Sequence, residues 1–86
     1  MKNDNIEIIQ INISGEDKPG LTSSLTGILA RHDAFILDIG QSNIHQSLTL
    51  GILFMTTSER SGQIMKELLF KASEMNIQIR FTPIDE

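Results

Sequence analysis

An abrupt change in the spacing of apolar residues, across one short loop, most constrains what this chain can fold into. Before the loop the isoleucines Ile9, Ile11 and Ile13 alternate with polar residues, a period of two that is typical of a half-buried strand. After the loop the apolar residues recur three or four positions apart, as on one face of a helix; they are Leu21, Leu25, Ile28 and Leu29. The spacing therefore predicts a strand over 6–14 and a helix over about 19–32.

The loop between these elements reads Ser14-Gly15-Glu16-Asp17-Lys18-Pro19-Gly20-Leu21. Gly15 permits a positive φ or a sharp bend as the strand ends, and Pro19 suits the first turn of a helix. Gly20 leaves the neighbouring backbone amides without a side chain to cover them. Because a helix start carries free N–H groups and the positive end of the dipole, the loop is predicted to bind a small carboxylate or the backbone of a partner.

The middle of the chain predicts two further strands. Residues 34–44 are rich in β-branched and aromatic side chains, and Gly40 suggests a bulge within that strand. A turn at 45–47 precedes a strand over 48–55, whose apolar far end is typical of an interior strand.

The last third predicts a polar loop over 56–62, a helix capped by Ser61 that runs to Met75, and a final strand. The inward residues of that helix are predicted to be Ile64, Met65, Leu68, Leu69 and Ala72. Asn76 stands where a left-handed residue ends a helix. Pro83 restricts the final strand to a sheet edge or to ending there.

The predicted fold is α+β and ferredoxin-like, with the order βαββαβ. Two helices cover one face of a four-stranded antiparallel sheet, with the first and third strands at its centre. Two helices cannot cover every apolar residue of such a sheet, the surplus being Ile36, Ile44, Leu53 and Met55. A homodimer, or another domain of a longer chain, is expected to cover the remainder.

Composition narrows the classes of function. The 86 residues suffice for one domain over 1–86, which is expected to be part of a larger enzyme. The absence of cysteine excludes disulfides and thiolate metal sites. The net charge is -4 and the basic residues are scattered, so the sequence shows no basic surface suited to nucleic acid or to an anionic membrane. Residues 1–5 lack the apolar core of a signal peptide, and no apolar run approaches the roughly 18 residues of a membrane span. The expected location is cytoplasmic.

Several catalytic and metal-binding patterns are absent from the sequence. Gly15 and Gly20 have the glycine spacing of a phosphate-binding loop, but Leu21 stands where that loop needs a lysine. His32 and His45 form no metal motif, so no metal is predicted. Residues 40–44 lack the second glycine of a nucleophile elbow. The aspartates never stand two apart, which excludes the paired-aspartate motif of phosphoryl-transferring hydrolases; they are Asp4, Asp17, Asp33, Asp38 and Asp85.

Asp38 and Gln41 interrupt an otherwise apolar strand and have two interpretations. Together they could hold an ammonium group while the amides of the loop hold a carboxylate, an arrangement that suits an amino acid. Alternatively, they keep an exposed sheet edge polar and deter aggregation.

With these residues in view, the chain resembles the ACT domain family. The run 14–21 is similar to that family's G-x-D-x-P-G-L motif. Leu37-Asp38-Ile39-Gly40-Gln41, Ile44-His45 and the run 48–53 resemble the first N-terminal ACT domain of bacterial phosphoserine phosphatases. The likeness extends over residues 8–81.

The resemblance implies a non-catalytic regulatory domain, free of cofactors itself, from an enzyme of L-serine biosynthesis whose catalytic domain uses magnesium. It also implies a homodimer and a small amino acid as ligand, with serine as first choice. The implied ligand-binding residues are Asp17, Pro19, Gly20, Leu21, Asp38 and Gln41. Where many ACT sites have asparagine or histidine on the first loop, this chain has Glu16 and Lys18.

Two other functions remain open at the level of the sequence. The domain could be a purely structural dimerisation or interdomain module, with loop glycines that serve turn geometry alone. An acylphosphatase-like hydrolase on the same fold would need a phosphate-binding arginine in the first loop, where Lys18 is a poor substitute. RNA-binding relatives of this topology need aromatic residues on the central strands, and aliphatic residues occupy those positions here.

Overall fold

The computed structural model describes residues 6–84. The elements, in chain order, are β1 (Ile6–Glu16), α1 (Leu21–Arg31), β2 (Phe35–Ile44), β3 (Ser47–Thr57), α2 (Ser58–Glu74) and β4 (Gln78–Ile84). This order confirms the predicted βαββαβ fold. The predictions about residues 1–5, including Asp4, and about Asp85 lie outside the described residues.

The four strands form one antiparallel sheet in the order β2-β3-β1-β4, so the first and third strands are central as predicted. Alternate side chains of β1 and β3 point toward the helices and form the core with the inner faces of α1 and α2. The fully buried members of that core include Ile11, Leu25, Leu50, Ile52, Phe54, Ile64 and Leu68. Pro83 lies in the edge strand β4, where a missing N–H is tolerated.

The start of α1 differs from the prediction at two residues. Helix α1 begins at Leu21, and Gly20 precedes it in the left-handed conformation with φ 78°, so Pro19 lies outside the first turn. Gly15 lies within β1 and does not bend the chain. Its lack of a side chain serves close packing instead, because a Cβ there would lie 3.0 Å from the Cγ2 of Ile77.

Helix α2 also begins earlier than predicted. The polar loop predicted over 56–62 does not form, because β3 runs directly into α2 at Ser58 and the N-cap position is Thr57. Ser61 is therefore not the cap; it is a buried helical residue whose hydroxyl donates to the Ser58 carbonyl at 3.4 Å. Leu69, predicted to point inward, is 51% exposed. Asn76 has φ 59° and ends the helix as predicted.

Strand β2 is exposed along its whole length. Its register against β3 shifts between Ile36 and Asp38, so the irregularity falls at Leu37, three residues before the predicted position at Gly40. The predicted surplus of apolar surface is confirmed on this strand, where Ile36 is 37% exposed and Ile44 is 69% exposed. The helices therefore leave one edge of the sheet open.

Candidate functional site

The loop that joins β1 to α1 is held in place from two sides. The amide of Asp17 donates to the Gln46 carbonyl at 2.8 Å, which ties the loop to the turn between β2 and β3. The ammonium of Lys18 donates to the Met75 carbonyl at the end of α2. These contacts fix the loop against two separate turns and so preorganise its backbone.

The helix start that follows this loop has no side-chain cap. The Leu21 amide donates to the Lys18 carbonyl at 3.2 Å, and the Ser24 amide donates to the Gly20 carbonyl at 2.9 Å. The amides of Thr22 and Ser23, in the first turn, have no acceptor among residues 6–84 in these cap and turn hydrogen bonds. Together with the helix dipole they make a positive, hydrogen-bond-donating surface.

A chain of side-chain hydrogen bonds links this helix start to β2. The Thr22 hydroxyl donates to Oε1 of Gln41 at 3.2 Å, and Nε2 of Gln41 donates to Oδ1 of Asn43 at 3.0 Å. Nδ2 of Asn43 then donates to Oδ2 of Asp17 at 2.7 Å. We call these four residues the polar network; it begins on the first turn of α1 and returns to the loop before it.

The polar network and the helix start offer complementary charges side by side. The exposed Asp17 carboxylate attracts an ammonium group, whereas the free amides of the helix start attract a carboxylate. Beside them, the Thr22 hydroxyl donates to Gln41 and the Ser23 hydroxyl donates to the Gly20 carbonyl at 3.2 Å. Such a surface suits a small zwitterion better than it suits an inorganic phosphate, which the Asp17 carboxylate would repel.

The structure brings most of the sequence-predicted site residues together. Asp17 and Gln41 belong to the polar network, and Pro19 and Gly20 lie on the exposed loop beside it. Leu21 contributes differently, because its side chain is 1% exposed and packs in the core while its amide is bonded to Lys18. Leu21 therefore anchors the helix start in the core.

Asp38 does not join this group, which corrects its proposed pairing with Gln41. Asp38 pairs with Leu53 and Gln41 pairs with Leu50, so the two side chains project from opposite faces of the sheet. The physical reason is their spacing of three, since successive side chains of a strand alternate between faces. Instead, Oδ1 of Asp38 accepts a hydrogen bond from the Ile39 amide at 2.9 Å, on the side of the sheet away from the helices.

Sequence reasoning missed two members of the polar network, Thr22 and Asn43. Asn43 stands two residues after Gln41, and in a strand that spacing places both side chains on one face. Thr22 follows Leu21 in the first turn of the helix, where a short hydroxyl lies close to the chain that enters it. The alternation therefore carried a signal for Asn43 that the apolar pattern of the strand obscured.

The open edge of β2 borders the candidate site. In an antiparallel pair every second residue of an edge strand points its N–H and C=O groups away from its partner, so the outer side of β2 presents unpaired backbone groups. Apolar Ile36 and Ile39 lie on its helix-facing side and are 37% and 44% exposed. Another strand laid along β2 would pair these groups and close the side of the site.

A second cluster of charges lies at the opposite end of α1. Oε1 of Glu67 on α2 lies 2.8 Å from Nη2 of Arg31, and its Oε2 lies 2.9 Å from Nε2 of His32. Nη1 of Arg60 donates to Oδ2 of Asp33 at 3.1 Å. The hydrogen bonds from His32 and Arg31 lower the pKa of the Glu67 carboxyl below its ordinary value. This cluster joins the two helices and lies away from the polar network.

None of the helices within residues 6–84 combines the length and the apolar character needed to cross a membrane.

Comparisons with known proteins agree with the fold. A family model described as an ACT domain matches residues 7–82. Phosphoserine phosphatase SerB2 of Mycobacterium tuberculosis (strain ATCC 25618 / H37Rv) is 42% identical over 45 residues, which cover 52% of this chain and 11% of that protein. The chain thus matches only about a tenth of that curated relative's length.

Solved structures repeat the same fold at low sequence identity. A protein named as a glycine cleavage system transcriptional repressor superposes with a TM-score of 0.89 at 13% identity, covering 96% of this chain and 48% of that one. An ACT domain protein from Streptococcus pneumoniae has a TM-score of 0.74 at 20% identity, covering 90% and 89%. A formyltetrahydrofolate deformylase from Burkholderia mallei ATCC 23344 has a TM-score of 0.78 at 14% identity, covering 88% and 28%.

Proposed function

Because the chain belongs to the ACT domain family, we propose that it binds a small amino acid, with serine as the first candidate, and regulates an enzyme to which it is attached. ACT domains are non-catalytic, so the module acts by linkage: a ligand that bridges two subunits or domains favours the arrangement that it bridges. A coupling of roughly 1 to 3 kcal/mol is sufficient to change the behaviour of an attached active site.

The polar network beside an uncapped helix start is the single observation that carries this proposal. In the proposed complex the ligand's carboxylate accepts from the amides of Thr22 and Ser23, and the Asp17 carboxylate binds its ammonium group. Pro19 and Gly20 border the ligand through their backbone, Leu21 anchors the helix start, and Gln41 and Asn43 hold Asp17 and Thr22 in place.

The second half of the proposal concerns a homodimer through the edge of β2. Two copies of β2 placed side by side would pair their outer backbone groups and extend the sheet. The ligand would then lie beside the joined edges, and its binding would favour the dimer. The fully exposed strand β2 supports this arrangement, since a long uncovered edge is otherwise a site of aggregation.

The choice of serine rests on the partial relative. The 42% identity to a phosphoserine phosphatase supports a parent enzyme of that kind, in which a magnesium-dependent hydrolase domain lies outside this chain and outside the described site. A cytoplasmic location is part of the same proposal. Reading the gene beyond Glu86 tests it: a hydrolase segment with a D-x-D motif is expected, and a different catalytic domain would contradict the choice of parent.

Isothermal titration of the chain with serine, glycine and larger amino acids tests ligand binding directly. We expect serine to bind, and Asp17→Asn to weaken binding by about tenfold or more, because it removes the charge opposite the ammonium group. Asp33→Asn is the matched control, since Asp33 lies at the other end of α1 and asparagine tolerates its φ of 57°. Equal binding by both variants would place the ligand elsewhere, and silence for every amino acid would contradict a ligand-binding role.

The alternative is a structural module that joins subunits or domains without a ligand. The exposed edge of β2 favours it independently of the polar network, because an unpaired edge suffices for assembly. In that case the chain dimerises, and added amino acids leave both the dimerisation constant and the thermal midpoint unchanged. A rise in either value with serine would support the regulatory role instead.

A further inference from the structure

The sheet face turned away from the helices, here called the open face, has an apolar row at one end. Cross-strand pairing places Phe35, Met55, Ile8 and Ile84 side by side across all four strands. Phe35 is 62% exposed. An apolar row that spans the full width of a sheet is typical of a surface that packs against another surface.

Beyond the apolar row the open face contains a depression with a carboxylate at its border. Gly40 and Gly51 pair directly across β2 and β3, and without side chains they leave a hollow of about 180 Å³. Asp38, Gln10 and Leu53 are among the residues that line it. Asp38 uses one oxygen to accept the Ile39 amide and makes no ion pair within residues 6–84. The hollow can therefore admit a long side chain and offers it a negative charge.

A cation, Arg80, lies on the same face of the sheet. It lies in the same row as the two glycines, in the order Gly40, Gly51, Asn12, Arg80 from β2 to β4. Three strand spacings separate Arg80 from β2, a distance of about 14 Å that keeps its guanidinium from Asp38 of the same chain. It makes no ion pair or side-chain hydrogen bond to any residue of the range 6–84. Asp38 and Arg80 thus lie exposed on one face with opposite charges, too far apart to meet.

We propose that two copies of this chain pack open face to open face, about a two-fold axis that runs parallel to the strands. Such an axis keeps each residue's position along the strands and exchanges the two edges of the sheet. Arg80 of each copy then lies over the depression beside Asp38 of the other, and the two apolar rows lie over each other. Stacked sheets pack about 10 Å apart, a distance that the Arg80 side chain of one copy and the Asp38 side chain of the other span together. The contact buries apolar surface and forms two identical ion pairs.

This interface goes beyond the proposed ligand site, because the polar network lies on the helix side of the sheet. The open-face interface also differs from the dimer through the edge of β2. The two dimers use different surfaces, and their two-fold axes do not intersect. The two contacts must therefore be tested separately. Ile39→Lys provides the background, because a lysine on the exposed edge opposes strand pairing while Asp38 and Arg80 keep their face.

Sedimentation equilibrium of the Ile39→Lys chain tests the proposal, with circular dichroism to verify folding. We expect a dimer whose dissociation constant rises about tenfold or more with Arg80→Glu or with Asp38→Lys alone, because each places like charges together. The double reversal Arg80→Glu with Asp38→Lys restores the dimer, because it restores the pairing of opposite charges. Lys66→Glu, the same charge change on exposed α2, leaves the constant unchanged.

A monomer at every concentration through the millimolar range would overturn the proposal. A dimer whose dissociation constant does not change with Arg80→Glu would overturn it too, since that dimer would use another surface. If the double reversal leaves the dissociation constant as high as in the single variants, the pairing of Asp38 with Arg80 is contradicted. Serine binding should be the same in the Arg80→Glu chain as in its parent, so loss of this dimer is distinguishable from failure of the proposed ligand site.

Discussion

At the scale of single residues, the glycines of this chain have unlike reasons for being glycine. Gly20 adopts φ 78°, a conformation in which a residue with a side chain would be strained. Gly15 has an ordinary strand conformation but must be small, because Ile77 packs closely against it. Gly27 lies within α1 with open space where its Cβ would be. These positions should therefore respond differently to the same substitution.

Gly20→Ala and Gly27→Ala should change stability in opposite directions. The first should lower the free energy of unfolding by about 1 to 2 kcal/mol, because alanine is strained in the left-handed region. The second should raise that free energy by about 0.5 to 1 kcal/mol, because alanine favours a helix interior. Urea denaturation of the two variants measures both values. Changes of the same sign would contradict the left-handed conformation at Gly20.

At the scale of elements, the two helices show how a correct periodicity can still leave a residue misplaced. In α2 the apolar pairs 64–65 and 68–69 made two neighbouring positions equally good candidates for the core. The structure buries Leu68 fully and leaves Leu69 half exposed, because only a narrow stripe of α2 faces the sheet. The width of that stripe depends on how α2 lies against the strands, which its own sequence does not specify.

Leu68→Ala and Leu69→Ala make a matched pair that checks the orientation of α2. Truncating Leu68 should cost about 2 to 5 kcal/mol, because it removes buried methyl groups and leaves a cavity. Truncating Leu69 should cost less than about 1 kcal/mol, because half of its side chain already meets solvent. The shifts in the midpoint of chemical denaturation measure the difference. Similar costs for both would mean that α2 is rotated from the position described.

At the scale of the whole molecule, separate surfaces of one small domain are suited to separate tasks. The helix side contains the polar network, the edge of β2 offers backbone pairing, and the open face presents Asp38 and Arg80. At the far end of the helix layer, Glu67 on α2 contacts Arg31 and His32 at the end of α1 and so joins the two helices. We expect that last contact to make the stability of the domain depend on pH.

Glu67→Gln should remove part of this pH dependence. The pKa of Glu67 is lowered in the folded chain, so its ionised form adds stability above its ordinary value of 4.5, and the addition is lost as pH falls through the folded-state pKa. The stability difference between the parent chain and Glu67→Gln should therefore shrink in the acidic range. Glu74→Gln, which breaks a pair within α2 alone, is the control. An identical pH profile for the two variants would contradict a contact between the helices.

The sequence by itself determined the fold class and the location of the candidate site. Three local patterns carried this information: the alternation in β1 and β3, the helical spacing after Leu21 and the glycine at position 20. Backbone sterics and burial suffice to interpret such patterns. The left-handed residue Asn76 was predictable for the same reason. Gly15 was wrongly predicted to bend the chain, because its neighbour Ile77 is distant in sequence.

Only the tertiary structure decided which side chains meet. Asp38 and Gln41 lie close in sequence, yet pairing with β3 sends them to opposite faces, whereas Asp17 and Asn43 meet across 26 positions. Such contacts depend on strand register and on how helices lie over the sheet, which are set by the packing of the entire core. A linear pattern can therefore identify a loop as a candidate site, but the folded chain determines which residues that loop contacts.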